Sequence, residues 1–127
     1  MIDGIGIDIV EVKKIRGALR RWGDGFLKKV FTEDEKKYCR SKRFPLLHFA
    51  GRFAAKEAIA KALKTGFWRK GLKWTDFEIK NNGDGVAEVR VGDRQKQRLR
   101  GRKVLVSISH CKDYAVANAI IYRKYRS

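Results

Sequence analysis

Three polar side chains stand where their type is unexpected, and each could meet a charged ligand. Asp8 lies in Ile2–Val10, where Ile5, Ile7 and Ile9 alternate with Gly4, Gly6 and Asp8. That alternation predicts a strand. Its second face carries only two glycines and a carboxylate, so another group can approach the backbone closely there. An aspartate at this place could equally cap a helix opening at Glu11, and the local sequence leaves both roles open. Glu57 is the only carboxylate from Lys36 to Thr75, among twelve Lys and Arg. It belongs to Phe44–Leu63, the longest helical pattern, alanine-rich and ending at Thr65-Gly66. Helical spacing puts Glu57, Lys61 and Lys64 on one face and turns Arg52 and Lys56 away. An exposed Glu57–Lys61 pair would contribute only roughly 0.3–0.5 kcal/mol. The residues around it, Phe53, Ala54, Ala58 and Ala60, read as buried, and a buried carboxylate needs a strong partner. His110 ends the run Ser107-Ile108-Ser109-His110 just before a turn. An imidazole at a strand mouth can reach a phosphate, and a plain surface histidine is the other reading. His48, at a helix start with no constellation around it, is read as an ordinary helix residue.

The elements that must position these groups follow from pattern. Lys13–Trp22 reads as a basic helix with Ile15 and Leu19 on one side. Thr32 and Glu35 form a capping box that opens another helix, running to about Arg40. Thr75–Lys80 and Val86–Val91 alternate as strands around the turn signal Asn81-Asn82-Gly83-Asp84-Gly85. Val104–His110 and Tyr114–Tyr122 are two more strands, joined by Cys111-Lys112-Asp113. One strand, then helices, then four strands in two hairpins predicts an α+β fold: a mostly antiparallel sheet packed on a long central helix.

The 127 residues suit one domain, 1–127, and 31 Lys+Arg against 14 Asp+Glu give a net charge of +17. An anionic partner or substrate is expected. Two distant cysteines exclude a disulfide scaffold and a Cys-based zinc site. No apolar run approaches the roughly 20 residues of a membrane span, and the N-terminus lacks signal-peptide features. An intracellular, cytoplasmic protein without membrane contact is expected. No phosphate-binding P-loop, dinucleotide fingerprint or Ser/His/Asp arrangement is present. The rival reading is a small basic nucleic-acid-binding protein, resting on Arg94–Lys103, with six cations in ten residues. That run reads better as a solvated basic turn, and aromatic stacking signatures for RNA are missing. No nucleic-acid partner is expected.

Several blocks together resemble the holo-acyl-carrier-protein synthases, the small trimeric class of 4′-phosphopantetheinyl transferases. They are Gly4-Ile5-Gly6-Ile7-Asp8-Ile9-Val10-Glu11, Phe31-Thr32-Glu33-Asp34-Glu35, Ala50-Gly51-Arg52-Phe53-Ala54-Ala55-Lys56-Glu57-Ala58 running on to Thr65-Gly66, and Ser107-Ile108-Ser109-His110. Two departures stand out: Lys64 replaces the family's usual glycine, and Gly85-Val86-Ala87 lacks the usual proline. The resemblance implies transfer of the phosphopantetheine arm of coenzyme A to a serine of acyl carrier protein, releasing adenosine 3′,5′-bisphosphate, a step in fatty acid and lipid biosynthesis. It implies Mg²⁺ held by Asp8 and Glu57, with Glu57 or a metal-bound water taking the serine proton. Lys61 would neutralise phosphoryl charge. Coenzyme A contacts are implied at Arg52, Lys61, Gly66, Gly85 and His110, the 3′-phosphate falling to His110. A homotrimer with shared sites is implied, and an acidic carrier protein docked on the basic helix through Lys14 and Arg21.

Overall fold

The computed structural model describes residues 1–64, 71–82 and 86–124. The elements in order are β1 (Ile2–Glu11), α1 (Val12–Trp22), α2 (Asp24–Val30), α3 (Glu33–Arg40), α4 (Pro45–Ala62), a 3₁₀ turn (Trp74–Asp76), β2 (Phe77–Asn81), β3 (Ala87–Val91), α5 (Asp93–Leu99), β4 (Lys103–His110) and β5 (Tyr114–Tyr122). The architecture is α+β, as the pattern predicts. The strands divide into two antiparallel sheets: β1-β5-β4 and the separate hairpin β2-β3. Two helices have no counterpart in the sequence pattern. One is α2, only seven residues long between Gly23 and Phe31. The other is α5, which occupies much of the cationic run that reads as a turn.

Helix α4 is the centre. Pro45 opens it at a position where a missing N–H costs nothing. Eleven of its eighteen residues are buried, among them Arg52 and Lys56, so it has no solvent face of ordinary width. One side lies on the β1-β5-β4 sheet, and small residues make the contact. Gly4 and Gly6 of β1 meet the backbone of Ala58 and Ala62 directly; a Cβ on either glycine would collide with a carbonyl oxygen of the helix. Ala115, Ala117 and Ala119 of β5 line the same interface and are almost fully buried. The glycine face of β1 is therefore the inside of the fold. The isoleucine face is the outside, with Ile5, Ile7 and Ile9 at 71%, 60% and 65% exposure and Leu105 and Tyr114 exposed as well.

The other side of α4 carries the aromatic half of the core. Phe53 stacks on Trp74 with centroids 5.0 Å apart, and Phe31 meets Phe49 at 4.9 Å. Within it lies a closed polar network. Lys56 Nζ donates to Glu35 Oε1 at 2.6 Å, to Val30 O at 2.7 Å and to Trp74 O at 3.1 Å. Glu35 accepts from the N–H of Thr32 and of Ile79, both at 2.9 Å. The capping box read from the sequence is thus present, and its glutamate does more than cap, since with Lys56 it ties α4 to α3 and β2. Burial pulls the Lys56 ammonium below its ordinary value, and the Glu35 carboxylate works against that pull. All three ammonium donors are used, which makes a buried charge tolerable.

The end of α4 explains one departure of the sequence. Leu63 caps the helix, and Lys64 follows with φ of 60°, the left-handed conformation that glycine adopts freely. The turn keeps its geometry and lysine bears the strain. Lys64 therefore lies past the helix and not on the Glu57–Lys61 face. Two substitutions should move stability in opposite directions in urea unfolding. Gly6→Ala should cost about 1–3 kcal/mol, because backbone must give way. Lys64→Gly should gain about 0.5–1 kcal/mol, the relief of left-handed strain less the entropy of glycine. A neutral Gly6→Ala would show that the helix does not sit flush on the strand.

Candidate active site

Asp8 sits mid-strand, opposite Ala117 of β5, on the face that α4 covers. The helix-capping role is ruled out: α1 begins after Glu11 with no side-chain cap. The Asp8 carboxylate instead accepts from Lys61 Nζ at 3.0 Å, and the same ammonium reaches Ile7 O at 3.1 Å. Glu57 lies one turn before Lys61 and is half-buried. Its carboxyl is held above the ordinary glutamate range, chiefly by burial and next by the negative charge of Asp8, with Lys61 opposing. Asp8, Glu57 and Lys61, far apart in sequence, thus form one cluster between β1 and α4.

A second cluster forms on another side of the same helix. A cavity of about 350 Å³ is lined by Tyr38, His48, Arg52, Asn81, Ser107 and His110, with small and apolar residues between them. Arg52 is almost fully buried. Its guanidinium lies 4.1 Å from the Tyr38 ring centroid and donates to Asn81 Oδ1 at 2.6 Å. Its Nε, also buried, has no partner among the described residues. His110 ends β4 on the inner face of the sheet, and its ring lies 5.4 Å from that of His48. The sequence reads His48 as an ordinary helix residue, and here the structure differs. It is one turn before Arg52 and turns into the cavity. Only its i,i+4 spacing from Arg52 could have signalled this.

Arg52 and Glu57 are five residues apart on α4, which places them about 140° apart around the axis and about 7.5 Å along it. The two clusters therefore face different ways. Gly66 and Gly85, expected at coenzyme A, lie outside the described residues. On α1, Lys14 is exposed beside Glu11, and Arg21 lies against the exposed ring of Trp22. Leu19 packs on the core instead.

Whether these residues suit Mg²⁺ turns on the two carboxylates. Among the described residues no group of three or more acidic, His or Cys side chains gathers to hold a metal. Two neighbouring carboxylates do gather, and one is kept from ionising at its usual pH by burial and by the other. Mg²⁺ is commonly held by one or two carboxylates together with substrate phosphates, so this pair fits it. Because the Glu57 midpoint is raised, the folded chain keeps a proton that the unfolded chain releases. The contribution of Glu57 to stability accordingly falls as pH rises from the ordinary glutamate range to that midpoint. Carboxyl NMR should show Glu57 titrating above ordinary glutamates, and Asp8→Asn should bring the midpoint down. An unmoved midpoint would mean that the two carboxylates do not interact.

Comparison with known proteins gives the relatives of the chain as a whole. Residues 4–119 match the family model of the 4′-phosphopantetheinyl transferase superfamily. The holo-[acyl-carrier-protein] synthase of Protochlamydia amoebophila is 46% identical over 117 residues, covering 92% of this chain and 95% of that protein. Among solved structures, the holo-[acyl-carrier-protein] synthase of Neisseria meningitidis superposes with a TM-score of 0.89 at 32% identity, over 97% of this chain and 100% of that one. The enzyme of Bacillus anthracis, solved in complex with CoA (3′,5′-ADP), gives 0.82 at 34% identity, over 98% and 99%. With a strand carboxylate set against a helix Glu-x-x-x-Lys and a match spanning nearly its whole length, this chain belongs to the 4′-phosphopantetheinyl transferase superfamily.

Proposed function

We propose that this protein transfers the 4′-phosphopantetheine group of coenzyme A to a serine of apo-acyl carrier protein. The observation that carries the reading is the cluster of Asp8, Glu57 and Lys61, in a chain whose relatives are holo-[acyl-carrier-protein] synthases. The serine oxygen attacks the phosphorus that bears the pantetheine arm. The bond from that phosphorus to the oxygen of the adenosine-side phosphate breaks, and adenosine 3′,5′-bisphosphate leaves. Little covalent chemistry falls to the protein; positioning and charge neutralisation dominate. Glu57 accepts the serine proton, a role suited to a carboxylate of raised basicity. Lys61 neutralises the pyrophosphate, exchanging part of its pairing with Asp8 for phosphate oxygens. Asp8 and Glu57 would hold Mg²⁺, which when bound draws charge from the phosphate oxygens. Arg52 and His110 are proposed to hold the 3′-phosphate end, with Gly66 and Gly85 lending backbone contacts to coenzyme A.

Arg52 and Glu57 of one copy face different ways on α4, so a single coenzyme A meets both more directly when they come from two copies. We infer a homotrimer in which each site takes the Glu57 cluster from one copy and the Arg52–His110 cavity from its neighbour. The exposed isoleucine face of β1 supplies apolar surface of the kind a permanent interface covers. Cyclic closure makes that interface heterologous. Two unpaired cysteines, Cys39 and Cys111, suit the reducing cytoplasm proposed as its location. Burial raises the Cys39 thiol to about 12, so it stays inert.

Two experiments test these proposals. Asp8→Ala, Glu57→Ala and Arg52→Ala should each lose transfer by at least about a hundredfold with circular dichroism unchanged. Unfolding and refolding Glu57→Ala together with Arg52→Ala should restore part of the activity, because mixed trimers contain some intact sites. Wild-type turnover in Glu57→Ala would overturn the assignment, and failure of the mixture would overturn the shared site.

The docking surface is the second test. Carrier protein, being acidic, is proposed to bind α1 through Lys14 and Arg21, with Trp22 as the apolar contact. Lys14→Glu with Arg21→Glu should raise KM for carrier protein at least about tenfold and leave KM for coenzyme A nearly unchanged. Added salt should mimic the double substitution as screening shortens toward about 8 Å. If both KM values rise together, or neither moves, α1 is not the docking surface.

A further inference from the structure

The cavity beside α4 has a composition that the assignment of Arg52 and His110 does not exhaust. Three of its lining groups can carry positive charge, His48, Arg52 and His110, and none of its described lining residues is a carboxylate. His48 and Arg52 stand one turn apart on α4, so their side chains lie side by side. His110 comes from β4 on the opposite wall, its ring at 70° to that of His48. Arg52 cannot swing away: Tyr38 lies against it, Asn81 accepts from it, and it is almost fully buried. Its buried Nε still lacks a partner among the described residues. A guanidinium held in place and flanked by two imidazoles suits a compact dianion with several acceptor oxygens.

We propose that His48 is a specificity-determining residue, closing with Arg52 and His110 on the 3′-phosphate monoester of coenzyme A and taking up a proton as that group enters. The inference rests on the placement of the 3′-phosphate at Arg52 and His110, and adds His48 and the proton. The His48 midpoint is held below the ordinary histidine value, by burial first and then by the groups of positive charge facing it. These are His110 from β4, Arg52 on its own helix and Lys42 from the turn after α3; Tyr38 of α3 meets its ring edge-on. Entry of a dianion reverses the local field and favours the imidazolium. The cavity then gains a second charged hydrogen bond only when a phosphate is present. A ligand lacking the 3′-phosphate does not trigger it, and this sharpens discrimination beyond what fixed cations provide.

The chain has only two histidines, so imidazole NMR resolves both, and His48→Phe or His48→Gln assigns them. The probes are adenosine 3′,5′-bisphosphate and adenosine 5′-phosphate, with the full-length protein. The His48 midpoint should lie below the ordinary histidine value in free protein. The bisphosphate should move it upward past that value, and the 5′-phosphate should leave it in place. Going from about pH 8 to about pH 6, wild type should gain about tenfold more affinity for the bisphosphate than either variant gains, the factor that one unit of midpoint represents. The phosphate itself titrates near this range, and the comparison with the variants cancels its share. If His110 responds to the bisphosphate while His48 does not, or wild type and variants share one pH profile, the inference falls and the placement of the 3′-phosphate stands. If neither histidine responds and both probes bind equally, the placement itself falls, and the inference with it.

Discussion

The close contact between α4 and β1 governs the rest of the structure. It exists because both surfaces are nearly bare: Gly4 and Gly6 on the strand, Ala58 and Ala62 on the helix, and alanines of β5 beside them. Helix and sheet backbones can then approach more closely than larger side chains would permit. Asp8 is the next inward-facing residue after Gly6, so the same contact sets it against Glu57 and Lys61. Anything that lifted the helix off the strand would also separate Asp8 from Glu57 and Lys61. The cluster is a by-product of packing, and its precision is the precision of a core.

Lys56 and Glu57, adjacent in sequence, show how differently one helix can treat two charges. Lys56 faces the aromatic side with no exposed surface, and every donor is met by Glu35 or a carbonyl. Removing one partner of such a pair leaves a buried charge behind, which usually costs about 3–5 kcal/mol. Glu57 faces the sheet edge, where burial is partial and the nearest charges are one like and one opposite. One charge is fully satisfied and anchors the helix; its neighbour has no hydrogen bond or ion pair among the described residues. Since Lys56 tethers the turn that also carries Glu57, the satisfied pair holds the unsatisfied group in place.

Much of this is legible in the sequence, and the failures have physical reasons. Strong local signals come through: the alternation of β1, the Thr32–Glu35 capping box, both hairpins and the long alanine-rich helix. Strand alternation separates two faces but does not say which is inside. Ile5, Ile7 and Ile9 point outward, against the ordinary expectation that the apolar face is the buried one, and no local pattern signals that reversal. Helix α2 is too short for periodicity to register. Helix α5 is hidden because six cations in ten residues read as solvent-exposed whatever their conformation, and Gln95 and Leu99 turn inward from it. His48 escapes notice because its meaning lies in His110, more than sixty residues away, and nothing local points there.

The charge of +17 is spread over surfaces with different roles, and burial sorts them. Arg52 and Lys56 are enclosed, so they respond little to salt. Lys14 and Arg21 on α1 are exposed, so salt screens their charges. The cations of α5 and its flanks are exposed too, apart from the partly buried Arg102; Arg94 is tied to Asp76 at 3.5 Å and Arg102 to the carbonyl of Leu99. A nucleic-acid surface would need such cations free and aligned with stacking aromatics, and these two are spent on holding the helix. Trp22, exposed beside Arg21, gives α1 the aromatic contact that α5 does not present among its own residues. A cationic face with one exposed aromatic differs in kind from a uniformly cationic one, because the aromatic gains only from contact with apolar surface that can be buried against it.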